Sequence, residues 1–388
     1  MRRLGTLFAT LICALVLCGC AGVPIAQVPE RLFDDNLFQP SRSVLSVAAI
    51  HAVSPAMRAY ARGVRQNRHG REARQALINA LYRRDQLQLE YDAAVTRTAA
   101  EAFAARAGNC LSLVIMTAAL AEEMGIPVVF QSVPTGDAWS RSGSLYFNVG
   151  HVNLLLGRPT RADMPLHDPD AFSLVDFMPP DETHLLRAER IDRATVTAMF
   201  MNNRAAEALA AGDIDAAYWW ARNAIVTAPA LLHAYNTLAI VYQRHGDRSL
   251  AEAVLRHALG VDPDNPIMLS NLAQLLREAG RPGDAAIVET RLLALQGRQY
   301  RPFYFYDQGR AAMAAGDYAG ARRLFERELR RDPNHHEFHF WLAVAAAQLG
   351  DRRTADKELR QALAGSTTVS DRDLYSAKLT RLRATASH

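Results

Sequence analysis

The sequence predicts two folded units in one chain, an α+β domain in the N-terminal half and an all-α solenoid in the C-terminal half. Between residues 43 and 190, helical periodicity gives way to short β-type runs, an order typical of α+β domains. After Asp192 no strand pattern occurs, and glycines recur with a period of about 34 residues. Such a fixed period indicates stacked helix pairs. A chain of 388 residues, 49% of them hydrophobic, is long enough to bury a core in both units.

The charge of the chain indicates no nucleic-acid partner. The formal net charge is only +4, and the basic residues, nearly all arginine, are spread along the sequence and form no basic stripe. Charged residues make up 22% of the chain, close to the proportion in ordinary folded proteins.

Residues 1–19 have the pattern of a signal peptide. Two arginines at positions 2 and 3 precede an apolar run from Leu4 to Leu17, which is too short to span a membrane. The run ends in Leu-Cys-Gly-Cys, which resembles the lipobox of bacterial lipoproteins. That resemblance implies that Cys20 carries a lipid, becomes the mature N-terminus and anchors the protein in the cell envelope, at the outer membrane facing the periplasm. An ordinary cleaved signal peptide is the alternative.

The cysteine count bears on the chemistry of the mature chain. Of four cysteines, two leave with the signal peptide and Cys20 is the lipidation residue. Cys110 then remains as one thiol without a partner for a structural disulfide. Such a thiol is either a small buried hydrophobe or a reactive group.

Residues 43–190 form the predicted α+β domain, after a segment at 20–42 that contains three prolines and no periodic pattern and is predicted to be a tether. Helical spacing dominates up to about Arg106, and a further helix runs from Cys110 to about Met124. β-type runs follow at 128–133, 145–156 and 171–178. Prolines and glycines in the connections favour turns.

The C-terminal half carries five phased glycines and five phased alanines. The glycines are Gly212, Gly246, Gly280, Gly316 and Gly350, and an alanine stands five residues after each of them. Glycine lets the chain turn between two antiparallel helices, and a small residue such as alanine lets those helices approach closely. Prolines at positions 229, 263 and 333 end three of the units.

This pattern resembles the tetratricopeptide repeat. The array covers residues 198–365, with five units at 198–231, 232–265, 266–301, 302–335 and 336–365. Residues 366–388 are predicted to hold a polar capping helix and a short tail. The resemblance implies that the groove lined by the first helix of each unit binds a protein or peptide.

Three residues of the α+β domain form a candidate catalytic site. Cys110 stands at the start of an apolar helix, where free N–H groups and the helix dipole favour a thiolate and can stabilise an oxyanion. His151 in the second β-type run and Asp176 in the third supply a base and its orienting acceptor. Asp168 and Asp170 are rival acceptors, although their proline-containing loop favours a turn-forming role.

Short motifs around these residues resemble the bacterial transglutaminase-like domain, over about residues 75–190. The motifs are Gly-Asn-Cys-Leu-Ser at 108–112, Gly-Ile-Pro at 125–127, Gly-His-Val at 150–152 and Val-Asp at 175–176. The resemblance implies a papain-like fold, with the cysteine helix packed on a small antiparallel sheet. It also implies Cys110 as nucleophile, His151 as base and Asp176 as its partner. The implied activity is acyl transfer on an amide through a thioester, ending in hydrolysis or transamidation, without a cofactor.

A second hypothesis is a non-catalytic envelope scaffold, in which the cysteine domain is degenerate and the repeats bind a partner. A metal site is not predicted. His335 and His339 are one helical turn apart, a spacing that can bind a metal, but no third ligand stands near them in the sequence.

Overall fold

The computed structural model describes most of the chain. The described residues are 30–93, 95–133, 139–142, 145–148, 151–157, 171–177, 188–295, 304–366 and 369–384. The predicted signal peptide, Cys20, and the loop that contains Asp168 and Asp170 lie outside these ranges.

Five helices precede the main sheet within the described part of the N-terminal unit. They are α1 (Val47–Ile50), α2 (Pro55–Arg65), α3 (Gly70–Tyr82), α4 (Ala99–Ala105) and α5 (Cys110–Glu123). Helix α5 lies at the centre of the unit, because every residue from Cys110 to Ala121 is buried. A helix that is apolar on all sides is stable only when other elements cover it. Helices α2 and α4 are two of the elements in contact with α5.

The strands of this unit form one four-stranded sheet and two short pairs. The described strands are β1 (Glu90–Tyr91), β2 (Ala107–Gly108), β3 (Val128–Val133), β4 (Trp139–Ser142), β5 (Leu145–Asn148), β6 (His151–Gly157), β7 (Phe172–Val175) and β8 (Glu189–Ile191). The sheet is antiparallel, in the order β7-β6-β3-β8, while β1 pairs with β2 and β4 pairs with β5. Every residue of β6 is buried, because β3 and β7 flank it and α5 contacts it.

The predicted second run, residues 145–156, is divided in the structure. Its first part is β5, which pairs with β4, and its second part is β6, which belongs to the main sheet. Apolar patterning alone does not show where one strand ends and the next begins. Both helices and strands are present in the N-terminal unit, as its predicted class requires.

The C-terminal half is an all-α solenoid of paired helices. The described pairs are α6 (Arg193–Ala211) with α7 (Ile214–Thr227), α8 (Leu232–His245) with α9 (Arg248–Val261), α10 (Pro266–Glu278) with α11 (Pro282–Leu295), α12 (Tyr304–Ala314) with α13 (Tyr318–Leu329), and α14 (His336–Gln348) with α15 (Arg352–Ala364). Helix α16 (Val369–Ala384) follows and packs on α15. The predicted helix pairing is confirmed.

The phased glycines and alanines have the predicted roles. Each of the five glycines has a positive φ, between 74° and 111°, at the turn that separates the helices of its pair. Residues other than glycine rarely adopt this backbone conformation. Each of the five alanines is at most 1% exposed, so a larger side chain there would push the paired helices apart.

The two units share a continuous hydrophobic core. Helix α6 begins at Arg193, five residues before the predicted start of the first repeat at 198, because the Asp192 carboxylate accepts a hydrogen bond from Thr195 N at 2.7 Å and caps the helix. Val196 and Phe200 on α6 belong to the same buried cluster as the residues of α5. The first repeat is therefore packed against the cysteine helix.

The tether predicted at 20–42 has a structured part. Leu32 and Phe38 are only 4% and 3% exposed, because they are packed against the first repeats. Within the described residues, no helix has both the length and the apolar character needed to cross a membrane.

Candidate functional site

Cys110 is the first residue of α5, and its position is fixed by the helix cap. The Asn109 side chain accepts hydrogen bonds from Ser112 N at 2.9 Å and from Ser112 Oγ at 2.8 Å. Such a cap stabilises the helix start, where the free N–H groups of the first turn lie. Cys110 is a free thiol and is 4% exposed.

His151 and Asp176 are brought together by the pairing of β6 and β7. Leu154 of β6 lies opposite Val175 of β7, so the next residues in register are Asn153 and Asp176. His151 is two residues further along β6 on the same face as Asn153. His151 Nε2 lies 2.7 Å from Asp176 Oδ1, so the two side chains that were predicted to lie together are in contact.

Asn153 forms a hydrogen bond with the second carboxylate oxygen of Asp176. Its Nδ2 donates to Asp176 Oδ2 at 2.9 Å, so both oxygens of Asp176 have a side-chain donor. Sequence reasoning did not select Asn153. Its spacing of two residues from His151 on a predicted strand was the available signal, since such residues share a face.

The His151 ring is protonated at neutral pH. Burial lowers its pKa, but the hydrogen bond with Asp176 and the neighbouring Cys110 thiol outweigh burial and raise the pKa to about 9. The side chains of His151 and Asp176 are only 7% and 10% exposed, so water screens their interaction weakly. A protonated imidazole beside a thiol is the arrangement that favours a thiolate.

The two nitrogens of His151 have different surroundings. Nε2 is engaged by Asp176, whereas Nδ1 is buried and no described atom is aligned to form a hydrogen bond with it. The Cys110 thiol is close enough to affect the titration of the ring. Nδ1 is therefore the ring nitrogen that Asp176 does not engage.

Two tyrosines border the site, and neither was selected from the sequence. The Tyr82 hydroxyl donates to the backbone oxygen of Asp176 at 2.9 Å, and burial raises the pKa of Tyr82 to about 12. Tyr91 on β1 lies opposite Gly108, two residues before Cys110. Burial and the electrostatic effect of the Cys110 side chain raise the pKa of Tyr91 well above its usual value, although a hydrogen bond with the backbone of Cys110 lowers it.

A hydrogen-bonded chain joins the cysteine helix to the first repeat. Asn109 Nδ2 donates to Thr96 Oγ1 at 2.8 Å, and Thr96 N donates to Glu207 Oε1 at 2.7 Å. Glu207 lies on α6 and pairs with Arg204 at 2.8 Å. Burial raises the pKa of Glu207, and the bonds from Thr96 and Arg204 oppose that effect. The residue that caps the cysteine helix is thus connected through one residue to the repeat array.

The histidines near the fifth repeat are engaged in other contacts. His339 Nδ1 lies 2.6 Å from Glu358 Oε2, and its Nε2 lies 2.8 Å from Pro333 O. The ring of His335 stacks on Phe338 with centroids 3.9 Å apart. Within the residues that the structure describes, no group of three or more side chains is arranged to hold a metal ion.

Comparison with known proteins identifies the repeats. The tetratricopeptide repeat family model matches residues 236–300 and 306–364. Together with the helix pairs, this match shows that the C-terminal region is a tetratricopeptide repeat solenoid, which indicates a role in protein–protein interaction. A search of the curated proteins found no match to the chain.

Several solved structures are similar to part of the chain. The MamA protein is 17% identical, with 43% of this chain and 91% of that chain covered and a TM-score of 0.24. Yeast Tom70 is 15% identical, with coverages of 49% and 40% and a TM-score of 0.36. Pseudomonas aeruginosa pilF is 22% identical, with coverages of 48% and 91% and a TM-score of 0.27.

Proposed function

We propose that this chain is a lipid-anchored envelope protein in which a transglutaminase-like cysteine domain, residues 43–190, acts on a substrate that the repeats at 198–365 help to recognise. The reaction is acyl transfer on an amide. The observation that carries the proposal is the position of His151, whose Nε2 contacts Asp176 and whose pKa is raised by both Asp176 and the neighbouring Cys110 side chain.

The first half of the reaction forms a thioester. In the resting site the His151 ring already holds, on Nδ1, the proton that has left the Cys110 thiol, and Asp176 stabilises this imidazolium. The thiolate attacks the amide carbonyl carbon, and N–H groups at the start of α5 stabilise the oxyanion. The C–N bond then breaks as the imidazolium gives its proton to the leaving amine, which leaves an acyl group on Cys110.

The second half releases the acyl group. His151 Nδ1 takes a proton from water or from an amine, which attacks the thioester carbonyl. The C–S bond breaks, and the proton on His151 returns to the Cys110 sulfur. Water yields a carboxylic acid, and an amine yields a new amide. Hydrolysis is the expected default, since water is abundant.

Alkylation of Cys110 tests the proposed nucleophile. We expect iodoacetamide to label Cys110 in the folded protein near neutral pH faster than it labels a free peptide thiol, because a protonated His151 stabilises the thiolate. Peptide mapping by mass spectrometry separates Cys110 from the other cysteines. The urea-unfolded chain is the control. A rate in the folded protein that does not exceed the rate of a free peptide thiol counts against activation.

The lipid anchor is supported by the sequence around Cys20 and has its own test. Metabolic labelling with a fatty acid is expected to modify the wild-type chain, which then fractionates with the outer membrane. Cys20→Ser is expected to lose both the label and the membrane association. A Cys20→Ser chain that still carries the label would contradict the proposed anchor.

The burial of Cys110 favours a second candidate, a non-catalytic scaffold, because a nucleophile must be reached by its substrate. A Cys110→Ala strain distinguishes the two functions. If the domain is an enzyme, this strain loses function, while the variant protein stays as stable as wild type and still binds its partner. If the strain behaves as wild type while deletion of residues 198–388 does not, the scaffold is the correct function.

A further inference from the structure

The segment at residues 30–39 lies on the first two repeats as a linear peptide. It contains two short turns, Glu30–Leu32 and Asp35–Leu37. Its described backbone-to-backbone hydrogen bonds are local, from Phe33 N to Glu30 O and from Leu37 N to Asp34 O. Side chains of the repeats therefore supply the long-range hydrogen bonds of this segment.

Four hydrogen bonds from the repeats are made to the backbone of the segment. The Tyr242 hydroxyl on α8 donates to Leu32 O at 2.9 Å and accepts from Asp34 N at 3.0 Å. Gln39 N donates to an oxygen of Asp215 at 2.9 Å, and the Trp219 ring nitrogen donates to Gln39 O at 2.8 Å. These bonds fix the path of the peptide at both ends, as in receptors for linear peptides.

The Asp35 carboxylate is recognised by two donors on α7. Tyr218 Oη lies 2.6 Å from Asp35 Oδ1, and Arg222 Nε lies 2.8 Å from the same oxygen. Hydrogen bonds to a charged acceptor are stronger than neutral ones and depend on its position. Two donors of the repeats thus meet at one carboxylate oxygen of the segment.

The aromatic residues of the segment are recognised by rings and by a guanidinium. Phe38 stacks on Tyr218 with ring centroids 3.9 Å apart and planes 7° apart. The His245 ring lies 4.7 Å from Phe38 on another side. Arg222, which binds Asp35, also lies 5.0 Å above the Phe33 ring. A surface formed by α7 and α8 therefore contacts one acidic residue, Asp35, and two aromatic residues, Phe33 and Phe38, of the segment.

We propose that this surface of the first two repeats is a binding site for acidic–aromatic peptides, and that residues 32–38 (Leu-Phe-Asp-Asp-Asn-Leu-Phe) occupy it as a separable ligand of the same chain. The proposal does not depend on the chemistry at Cys110. A ligand on the same chain has an effective concentration of the order of millimolar. Added peptide therefore competes poorly with the intact segment and binds well when the segment is disabled.

The test measures binding of a fluorescent peptide of residues 30–39 to full-length protein by polarisation. Asp35→Ala combined with Phe38→Ala disables the internal ligand, and we expect this variant to bind the peptide at least about tenfold more tightly than wild type. Adding Arg222→Ala to it should weaken peptide binding at least about tenfold. Asn36→Ala is the matched control in the same segment, since Asn36 is exposed, and it should behave as wild type.

Two outcomes would overturn the proposal. One is a double variant that is folded by circular dichroism but does not bind the peptide. The other is equal binding by wild type and double variant. If the double variant does not fold, Asp35→Asn replaces it, because the amide keeps the shape of the side chain and removes only its charge. Peptide should then raise the melting temperature of Asp35→Asn more than that of wild type, and an equal effect on both contradicts a separable ligand.

Discussion

Replacement of Asp176 by asparagine perturbs the charge that sets the protonation of His151. The pKa of His151 is about 9, against an ordinary value of 6.5. At 1.36 kcal/mol per pH unit, this difference corresponds to about 3 kcal/mol in favour of the protonated ring. Asp176→Asn keeps the side-chain size but removes the charge beside Nε2. Because an adjacent carboxylate typically changes a partner's pKa by about 1–3 pH units, the pKa of His151 should fall from about 9 to between about 6 and 8.

Two measurements report the protonation of His151 and its effect on Cys110. NMR titration of the imidazole resonances gives the pKa of His151, and the rate of iodoacetamide labelling at Cys110 follows the thiolate. If the protonated ring sustains the thiolate, the rate near neutral pH falls up to about tenfold for each pH unit by which the pKa falls. Asp264→Asn, which changes an exposed carboxylate of the repeats, is the matched control. A variant in which the pKa of His151 stays near 9, or in which labelling is as fast as in wild type, would refute this reasoning.

Three further predictions concern stability and coupling. The folded-state pKa of His151 lies above the unfolded value of 6.5, so its contribution to stability is complete below pH 6.5 and is lost as the pH rises to about 9. Urea unfolding should therefore show a loss of up to about 3 kcal/mol in the free energy of unfolding across this range. A free energy of unfolding that does not change with pH would contradict this. Glu207→Ala leaves the buried N–H of Thr96 without its acceptor, so it should lower the free energy of unfolding by about 1–3 kcal/mol and slow the alkylation of Cys110. Glu207→Gln should recover part of both effects. Equal alkylation rates in both variants and wild type would exclude coupling between Glu207 and Cys110. Gly309→Ala places a Cβ 2.6 Å from the buried ring of Phe325, so it should lower the free energy of unfolding by about 1–3 kcal/mol, measured by thermal unfolding. At Gly283 an added Cβ has no atom within 4 Å, so Gly283→Ala should have a smaller effect. Equal effects of the two substitutions would show that the ring moves aside freely.

The features that could be predicted from the sequence depend on local chemistry. The phased glycines mark turns because their conformation is unfavourable for other residues, and this requirement is visible in the sequence itself. The start of α5 at Cys110 was predicted from the apolar run that begins there, and the structure adds Asn109 as its cap. The contact between His151 and Asp176 was predicted from the order of two strand-like runs that proved to be neighbours in the sheet.

The features that could not be predicted depend on partners distant in sequence. The segment at 30–39 has no periodic pattern, and the tyrosines that hold it lie about 200 residues away, with separations of 183 for Tyr218 and 208 for Tyr242. Thr96 has no distinguishing sequence context, since its role arises from Glu207 on a helix of the other unit. The division of residues 145–156 between two sheets likewise depends on which strand lies beside each half.

The shared core has a consequence for how the molecule unfolds. One buried cluster runs from Leu32 through α5 and the first repeats to Ala285, while the fourth and fifth repeats contribute to two smaller clusters. In most repeat arrays each unit is stabilised mainly by its neighbours, so opening starts at an end. Here the first repeats are packed against α5 in one large buried cluster, so fraying should begin at the distal repeats. A partner bound there would be held by the least cooperative part of the molecule, while the geometry around Cys110 stays intact.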